Sequence, residues 1–257
     1  MSNKRVRQRQ LEMAVASVQR RFGCLALVQG KPPTAIGADA RVPHISTGFP
    51  QLDQALGIGG LAKGRVNELL GPATSGKTTL ALKFLVEAQS EGGQVGYIDL
   101  ARFFDPDYAH RCGLDLSRLL VLAPYDLREA LAMTEALASS GGLAALVFDG
   151  WDLLWGDATA ASLLAASLDR LAALLARSGM ALLFLHAPTH ESSPALSALA
   201  HHASLRLEMA RETWLRRNGD VRGYKARVQV LKNKLGPAGR TVSIAIEFNG
   251  TVHGAGL

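Results

Sequence analysis

Cysteine is nearly absent from this chain. Cys24 and Cys112 are its two cysteines, and their spacing matches neither a metal-ligand set nor a redox motif. Two reduced thiols in a cytoplasmic protein are therefore expected. Long apolar runs are also missing. "ALVFDGWDLLW" is broken by Asp149 and Asp152, and "MALLFLHAP" is too short to cross a bilayer, so no membrane segment is expected. The opening "MSNKRVRQRQ" lacks the apolar stretch and small-residue cleavage site of a signal peptide. No internal repeat stands out, and no helix-turn-helix or zinc-finger pattern that would read a base sequence.

What remains is an ordinary globular composition, 48% apolar and 19% charged over 257 residues, enough for one large α/β domain with a small appendage. The formal charge of +6 is unevenly placed. From Ala203 onward, Arg206, Arg211, Arg216, Arg217, Arg222, Lys225, Arg227, Lys232, Lys234 and Arg240 face only Glu208, Glu212, Asp220 and Glu247. Lys4, Arg5, Arg7, Arg9, Arg20 and Arg21 crowd the other end. Such clustering suits a polyanionic partner; a solvated basic surface is the plainer alternative.

Residues 4–22 carry Leu11, Ala14, Val15, Val18 and Phe22 at helical spacing. A short strand, "CLALVQG", and a Gly/Pro/Ala-rich linker follow, giving an N-terminal arm over 1–44 and a core over 45–257. Within the core, apolar strands alternate with helices: "RVNELL", "QVGYIDL", "LLVLAP", "LAALVFDG" and "MALLFLHA" are the strands. Strands this apolar, separated by helices, indicate an α/β fold with a mostly parallel sheet covered on both faces. Beyond Ala203, three further strands read as antiparallel additions to one sheet edge.

Between "RVNELL" and the helix from Lys77 lies "GPATSGKTT", which fits G-x-x-x-x-G-K-[ST] in the strand–loop–helix context that a phosphate loop requires. Gly71, Pro72, Ala73, Thr74, Ser75, Gly76, Lys77, Thr78 and Thr79 are the candidate phosphate-binding residues. Glycines let backbone N–H groups turn inward, and the helix start adds its positive dipole end. Lys77 is suited to neutralise the β- and γ-phosphates, and Thr78 to offer its hydroxyl to Mg²⁺. "LAALVFDG" ends in Asp149, at the sheet edge to which the loop is delivered. It is the expected second Mg²⁺-associated residue, where otherwise it would be a turn aspartate.

The stretch "ISTGFPQLDQALGIGGLAKGRVNELLGPATSGKTTLALKFLVEAQSEGGQVGYID" resembles the core of the RecA family of bacterial recombinases. "DPDYAHRCGLDLSRLLVLAPYDLREALAMTEALASSG", "VQVLKNKLGP" and "RQRQLEMAVASVQRRFG" extend the resemblance over nearly the whole chain. It implies a RecA-like P-loop core, ATP with Mg²⁺, a setting in DNA repair, recombination or the SOS response, and a chain without that family's large C-terminal domain. It further implies that Asp105 and Tyr108 contact the adenine, Tyr108 by stacking. Lys232 and Lys234, in "KNK", would reach the ATP of a neighbouring subunit; an ordinary basic hairpin is the alternative.

Departures matter as much. The family's water-positioning glutamate falls on Ala101, and loss of such a base typically costs about 10²- to 10⁴-fold. The polar sensor pair becomes His186 and Ala187. Asp152 is a possible substitute base, while Asp99 matches a non-catalytic position. The loop after Asp149 carries Trp151 and Trp155 but is not basic, and the next loop holds His190, His201 and His202 without Lys or Arg. DNA contact would then fall to Arg206, Arg211, Arg216, Arg217 and Arg222, independent of sequence and favouring single strands. The expectation is an ATP-binding repair accessory with weak or absent hydrolysis, similar to the ImuA type. It would self-assemble through the arm or partner a RecA recombinase or translesion polymerase. The alternatives are an active DNA-dependent ATPase and recombinase, or a non-enzymatic protein that docks on another RecA-fold chain.

Overall fold

The structure is a computed structural model. It describes residues 42–150, 158–188, 194–218 and 220–248, together with Arg9, Glu12, Met13, Ala14, Ala16, Ser17 and Arg20, all helical. The chain divides into two compact units, Met1–Arg41 and Val42–Leu257. The "CLALVQG" segment, Trp151, Asp152, Trp155 and His190 lie outside the described residues.

In the larger unit the elements run β1 (His44–Ile45), α1 (Pro50–Leu56), β2 (Leu61–Ala62), β3 (Val66–Leu70), α2 (Lys77–Ser90), β4 (Gln94–Asp99) and α3 (Pro106–Arg111). Then follow β5 (Leu119–Leu122), α4 (Leu127–Ser140), β6 (Leu143–Asp149), α5 (Ala158–Ser178), β7 (Ala181–His186), α6 (Pro194–His202), β8 (Leu205–Arg217), β9 (Asp220–Asn233) and β10 (Thr241–Glu247). An eight-stranded sheet has the order β10-β9-β8-β3-β7-β6-β4-β5, and β1 and β2 form a separate antiparallel pair. The five strands from β3 to β5 are parallel to one another, as their unbroken apolar runs require. Of the three later strands, β8 runs parallel to β3, and only β9 and β10 add antiparallel. That amends the expectation of three antiparallel additions: α6 lies between β7 and β8 in the chain, and β8 starts again from the amino edge of the sheet.

Period-two alternation sends successive side chains to opposite faces, and each face has its own core. On one face Leu69, Val95, Tyr97, Val147, Leu183 and Leu207 pack with Leu80, Phe84 and Leu85 of α2. On the other, Val66, Ile98, Phe148 and Phe184 pack with α4, α5 and α6. The helices start where their caps predict: Asp105 accepts from Tyr108 N, and Asp126 from Glu129 N. By length and composition Thr159–Ser178 could cross a membrane. A search for unbroken runs misses it because Asp169, Arg170 and Arg177 interrupt it. Its Leu164, Leu168, Leu171 and Leu175 are fully buried against the sheet, which is the pattern of a core helix.

Candidate functional site

β3 delivers its loop at the carboxyl edge of the sheet, beside the end of β7, where Gly71 N donates to His186 O at 3.1 Å. Two glycines make the loop possible. A Cβ on Gly71 would lie 2.3 Å from the Met209 carbonyl oxygen on β8. Gly76 has φ +101°, and its Cβ would meet Met209 Cε, Tyr224 OH and Ile246 Cδ1 within 2.8 Å. Gly76 is also the N-cap of α2 and supplies no side-chain acceptor, and no acidic residue occupies the first turn. The first N–H groups of α2 are thus directed at whatever the loop holds.

Lys77 Nζ donates to the carbonyls of Gly71 (2.5 Å) and Pro72 (3.1 Å), which folds the ammonium back over the loop. The Ser75 hydroxyl is buried within the loop without a protein hydrogen-bond partner. Thr78 is exposed at the mouth, whereas Thr79 is buried. A donor-lined loop with a lysine, an orphan hydroxyl and no carboxylate in the first helical turn fits a phosphate group.

Asp149 and Asp99 end adjacent strands in direct register. Their environments separate them. Asp99 spends both oxygens on the chain that follows, accepting from Phe103 N (3.0 Å) and Phe104 N (2.8 Å). Asp149 instead accepts the Tyr97 hydroxyl at 2.5 Å. Burial pushes the Asp149 carboxyl above its ordinary value; the Tyr97 hydrogen bond and the Lys77 charge work the other way, and Asp99 adds to the rise. Tyr97 is a site residue that sequence reasoning missed; a lone tyrosine in an otherwise aliphatic buried strand, whose hydroxyl must find a partner, was the available signal.

Ala101 sits in the bend after β4 with its methyl group against Gly150. The neighbouring Arg102 turns at φ +62° and donates to Pro124 O at 3.2 Å. Asp105 caps α3 and Tyr108 reaches the loop helix, its hydroxyl 2.6 Å from Thr79 Oγ1. Burial pushes the Tyr108 phenol up to about 12.

His186 is not placed as a phosphate sensor. Residues 182, 184 and 186 face the α5–α6 side of the sheet, away from α2. Its Nδ1 lies 2.7 Å from Ala187 O and its Nε2 2.8 Å from Glu68 Oε1, so two acceptors face the two ring nitrogens. Glu68 is fully buried, and Arg206 also grips it, Nε at 2.6 Å and Nη2 at 3.0 Å. Burial alone would raise the Glu68 carboxyl, but the His186 and Arg206 hydrogen bonds outweigh it and hold it below the usual range. Arg206 therefore serves a buried carboxylate, which sets it apart from the other arginines expected to meet DNA. Arg211, Arg216, Arg217 and Arg222 lie together on the exposed outer part of the β8–β9 hairpin.

Lys232 and Lys234 stand at the opposite, amino end of the sheet. Lys232 is in register with Arg206, and Lys234 N donates to Ser204 O, whose own N–H bonds Val66 O. Lys234 is thus about 15 Å of strand short of Gly71, and Lys232, level with Glu68, about 10 Å short. Their ammonium groups bond the last carbonyls of α6, Lys232 to Ala200 O and His201 O, Lys234 to His201 O. A cavity of about 220 Å³ beside them is lined by Arg65, His201, His202 and Lys234. Burial, then the charges of Lys234 and Arg206, push the Lys232 ammonium below its ordinary value. Neither lysine can reach the chain's own Gly71–Thr79 loop.

The RecA N-terminal domain model matches residues 9–253. The protein RecA of Chloroherpeton thalassium is 34% identical over 263 residues, spanning 93% of this chain and 72% of that protein. The protein RecA of Bacillus subtilis is 33% identical over 94% of this chain and 74% of its own length, and that of Sinorhizobium fredii 34% over 93% and 71%. With the sheet order, the loop and these matches in agreement, the chain belongs to the RecA family, whose setting is DNA recombination and repair.

Proposed function

We propose that this chain binds ATP with Mg²⁺ at Gly71–Thr79 and, in an assembly of several copies, binds DNA without sequence preference. The observation that carries the reading is the loop itself: α2 starting at Gly76 with no side-chain cap and no acid in its first turn, Lys77 folded over the loop, and the Ser75 hydroxyl buried without a hydrogen-bond partner. Thr78 and Asp149 would hold Mg²⁺, which supplies charge neutralisation at the phosphates. Tyr108, fixed to Thr79, would meet the adenine with Asp105. Lys232 and Lys234 would serve the nucleotide of an adjoining copy, since their own loop is out of reach. Arg211, Arg216, Arg217 and Arg222 would take DNA phosphates.

Two observations bear on turnover and point in different directions. Similarity to proteins named RecA over nine-tenths of the chain favours a DNA-dependent ATPase and recombinase. Ala101, with a methyl group where that family positions water, favours a slow nucleotide-gated accessory of the ImuA type that works with a recombinase or translesion polymerase. The arm would serve assembly in either case.

Turnover of wild type, Lys77→Ala and Ala101→Glu, with and without single-stranded DNA, separates the two. Binding lost in Lys77→Ala, with negligible wild-type turnover that Ala101→Glu raises, supports the accessory. Brisk DNA-stimulated turnover in the wild type establishes the ATPase and recombinase reading. Nucleotide binding that survives Lys77→Ala would remove the loop as the site.

A further inference from the structure

The β8–β9 hairpin carries a feature that its arginines do not explain. Along a regular strand, residues 211 and 214 point to opposite faces. Here the register slips between Arg211 and Thr213, so that Arg211 faces Ala226 and Trp214 faces Tyr224, two residues of the same sheet face. This bulge stacks the Arg211 guanidinium over the Trp214 ring, 4.4 Å from its centroid. The Tyr224 ring supports Trp214 edge-on at 6.0 Å, and Phe248 continues the row 5.7 Å beyond Tyr224. Tyr224 in turn rests its hydroxyl against Gly76 of the phosphate loop.

Trp214 is nevertheless 46% exposed and Phe248 49% exposed. A tryptophan held from one side by a cation and from its edge by a tyrosine, and still open to solvent, is a rigid aromatic surface that no other ring among the described residues covers. Arg216, Arg217 and Arg222 flank it on the same hairpin.

We propose that Trp214, fixed by Arg211 and Tyr224, is a stacking platform for a base of single-stranded nucleic acid whose phosphates run along the hairpin arginines. The proposal rests on the reading of this hairpin as the DNA-binding surface, and adds the base contact to it. Stacking needs an unpaired base, because a duplex hides the faces of its bases. The base of a nucleotide held in the loop is a poorer occupant. Trp214 lies five positions past Met209, the residue level with Gly71, which amounts to about 13 Å of strand once the bulge is counted. Tyr108 already stands beside the loop for that base.

The test compares wild type, Trp214→Ala, Trp214→Phe and the Arg216→Glu/Arg217→Glu double variant. Each is titrated with a labelled oligothymidylate and with an abasic phosphodiester strand of equal length, over a series of salt concentrations. The expected result is a roughly tenfold loss in Trp214→Ala on oligothymidylate, largely restored in Trp214→Phe, with an unchanged salt slope and no loss on the abasic strand. The arginine variant should lose affinity on both strands and show a shallower slope. Equal binding of oligothymidylate by wild type and Trp214→Ala, or an equal loss on both strands, overturns the platform while leaving the hairpin reading in place. An arginine variant that binds like wild type overturns the hairpin reading and the platform with it. ATP binding lost in Trp214→Ala with oligothymidylate unaffected would assign the base to a mononucleotide and refute the proposal.

Discussion

Among single residues, the most consequential partnership is the one that fills the sheet under the loop. Glu68 has no exposed surface, and its charge is tolerated because Arg206 and His186 both donate to it. Removing one partner of such a group leaves an uncompensated buried charge, which costs about 3–5 kcal/mol. Arg206→Ala should therefore lower unfolding free energy by that order, whereas Arg216→Ala, on the exposed outer hairpin, should stay within about 0.5 kcal/mol; urea titration of both decides it. The pH dependence has a definite sign. Because the Glu68 carboxyl is held below its ordinary value in the fold, its contribution is complete above the unfolded value and disappears as pH falls through the folded one. Wild type should lose stability on acidification over that window, and Glu68→Gln should flatten this part of the profile. None of this was readable from the sequence. Glu68 looks like one polar residue in an apolar strand, and its partners lie 118 and 138 residues away. Arg206, counted with a basic cluster, could be separated from it only by knowing which strand lies beside β3.

The strand–loop–helix around Gly71–Thr79 was the most legible of the elements, because its demands are local. The turn, the helix start and the lysine all fall within nine residues, and glycine stands where a Cβ would collide, at Gly71 and Gly76, while Thr74 takes its positive φ of 61° with a side chain. What the pattern concealed is that Gly76 meets two constraints at once. It adopts φ +101°, and it accommodates Met209, Tyr224 and Ile246 from β8, β9 and β10. Gly92 has a similar φ of +89° but nothing within 4 Å of a Cβ. Gly92→Ala should therefore cost only the backbone strain, about 1–2 kcal/mol, with nucleotide binding intact. Gly76→Ala should add the collision, displace Tyr224 and abolish nucleotide binding. Thermal melts with a fluorescent nucleotide titration distinguish the two, and retained binding in Gly76→Ala would show that the strands yield more easily than the geometry implies. The parallel strands were legible for the same local reason, each being a short apolar run. α1 and α6 were not, since neither Pro50–Leu56 nor Pro194–His202 is long enough to show a clear period. The direction of β8 was equally hidden, because it depends on how the chain returns from β7.

Across the larger unit, the groups proposed to serve a bound nucleotide and its Mg²⁺ are divided between the two edges of the sheet. Lys77 and Asp149 stand at the carboxyl edge of the sheet, Lys232 and Lys234 at the amino edge, with the length of β3 between them. One chain cannot close both sets on one triphosphate, so a site using both must form between copies, and this arrangement has a signature that a single-chain site lacks. Lys77→Ala keeps its amino-edge lysines but has a damaged loop; Lys232→Ala/Lys234→Ala keeps the loop but lacks the lysines. Each alone should bind labelled ATP weakly or not at all. Mixed, they should recover tight binding, because a double-variant loop placed against the amino edge of a Lys77→Ala copy has every group restored. Recovery should grow with total protein concentration, as association requires. If Lys232→Ala/Lys234→Ala alone binds like wild type, the two lysines merely cap α6, as their bonds to Ala200 and His201 already do within one chain. If it binds weakly and mixing restores nothing at any concentration, the effect acts within the chain, through the end of α6.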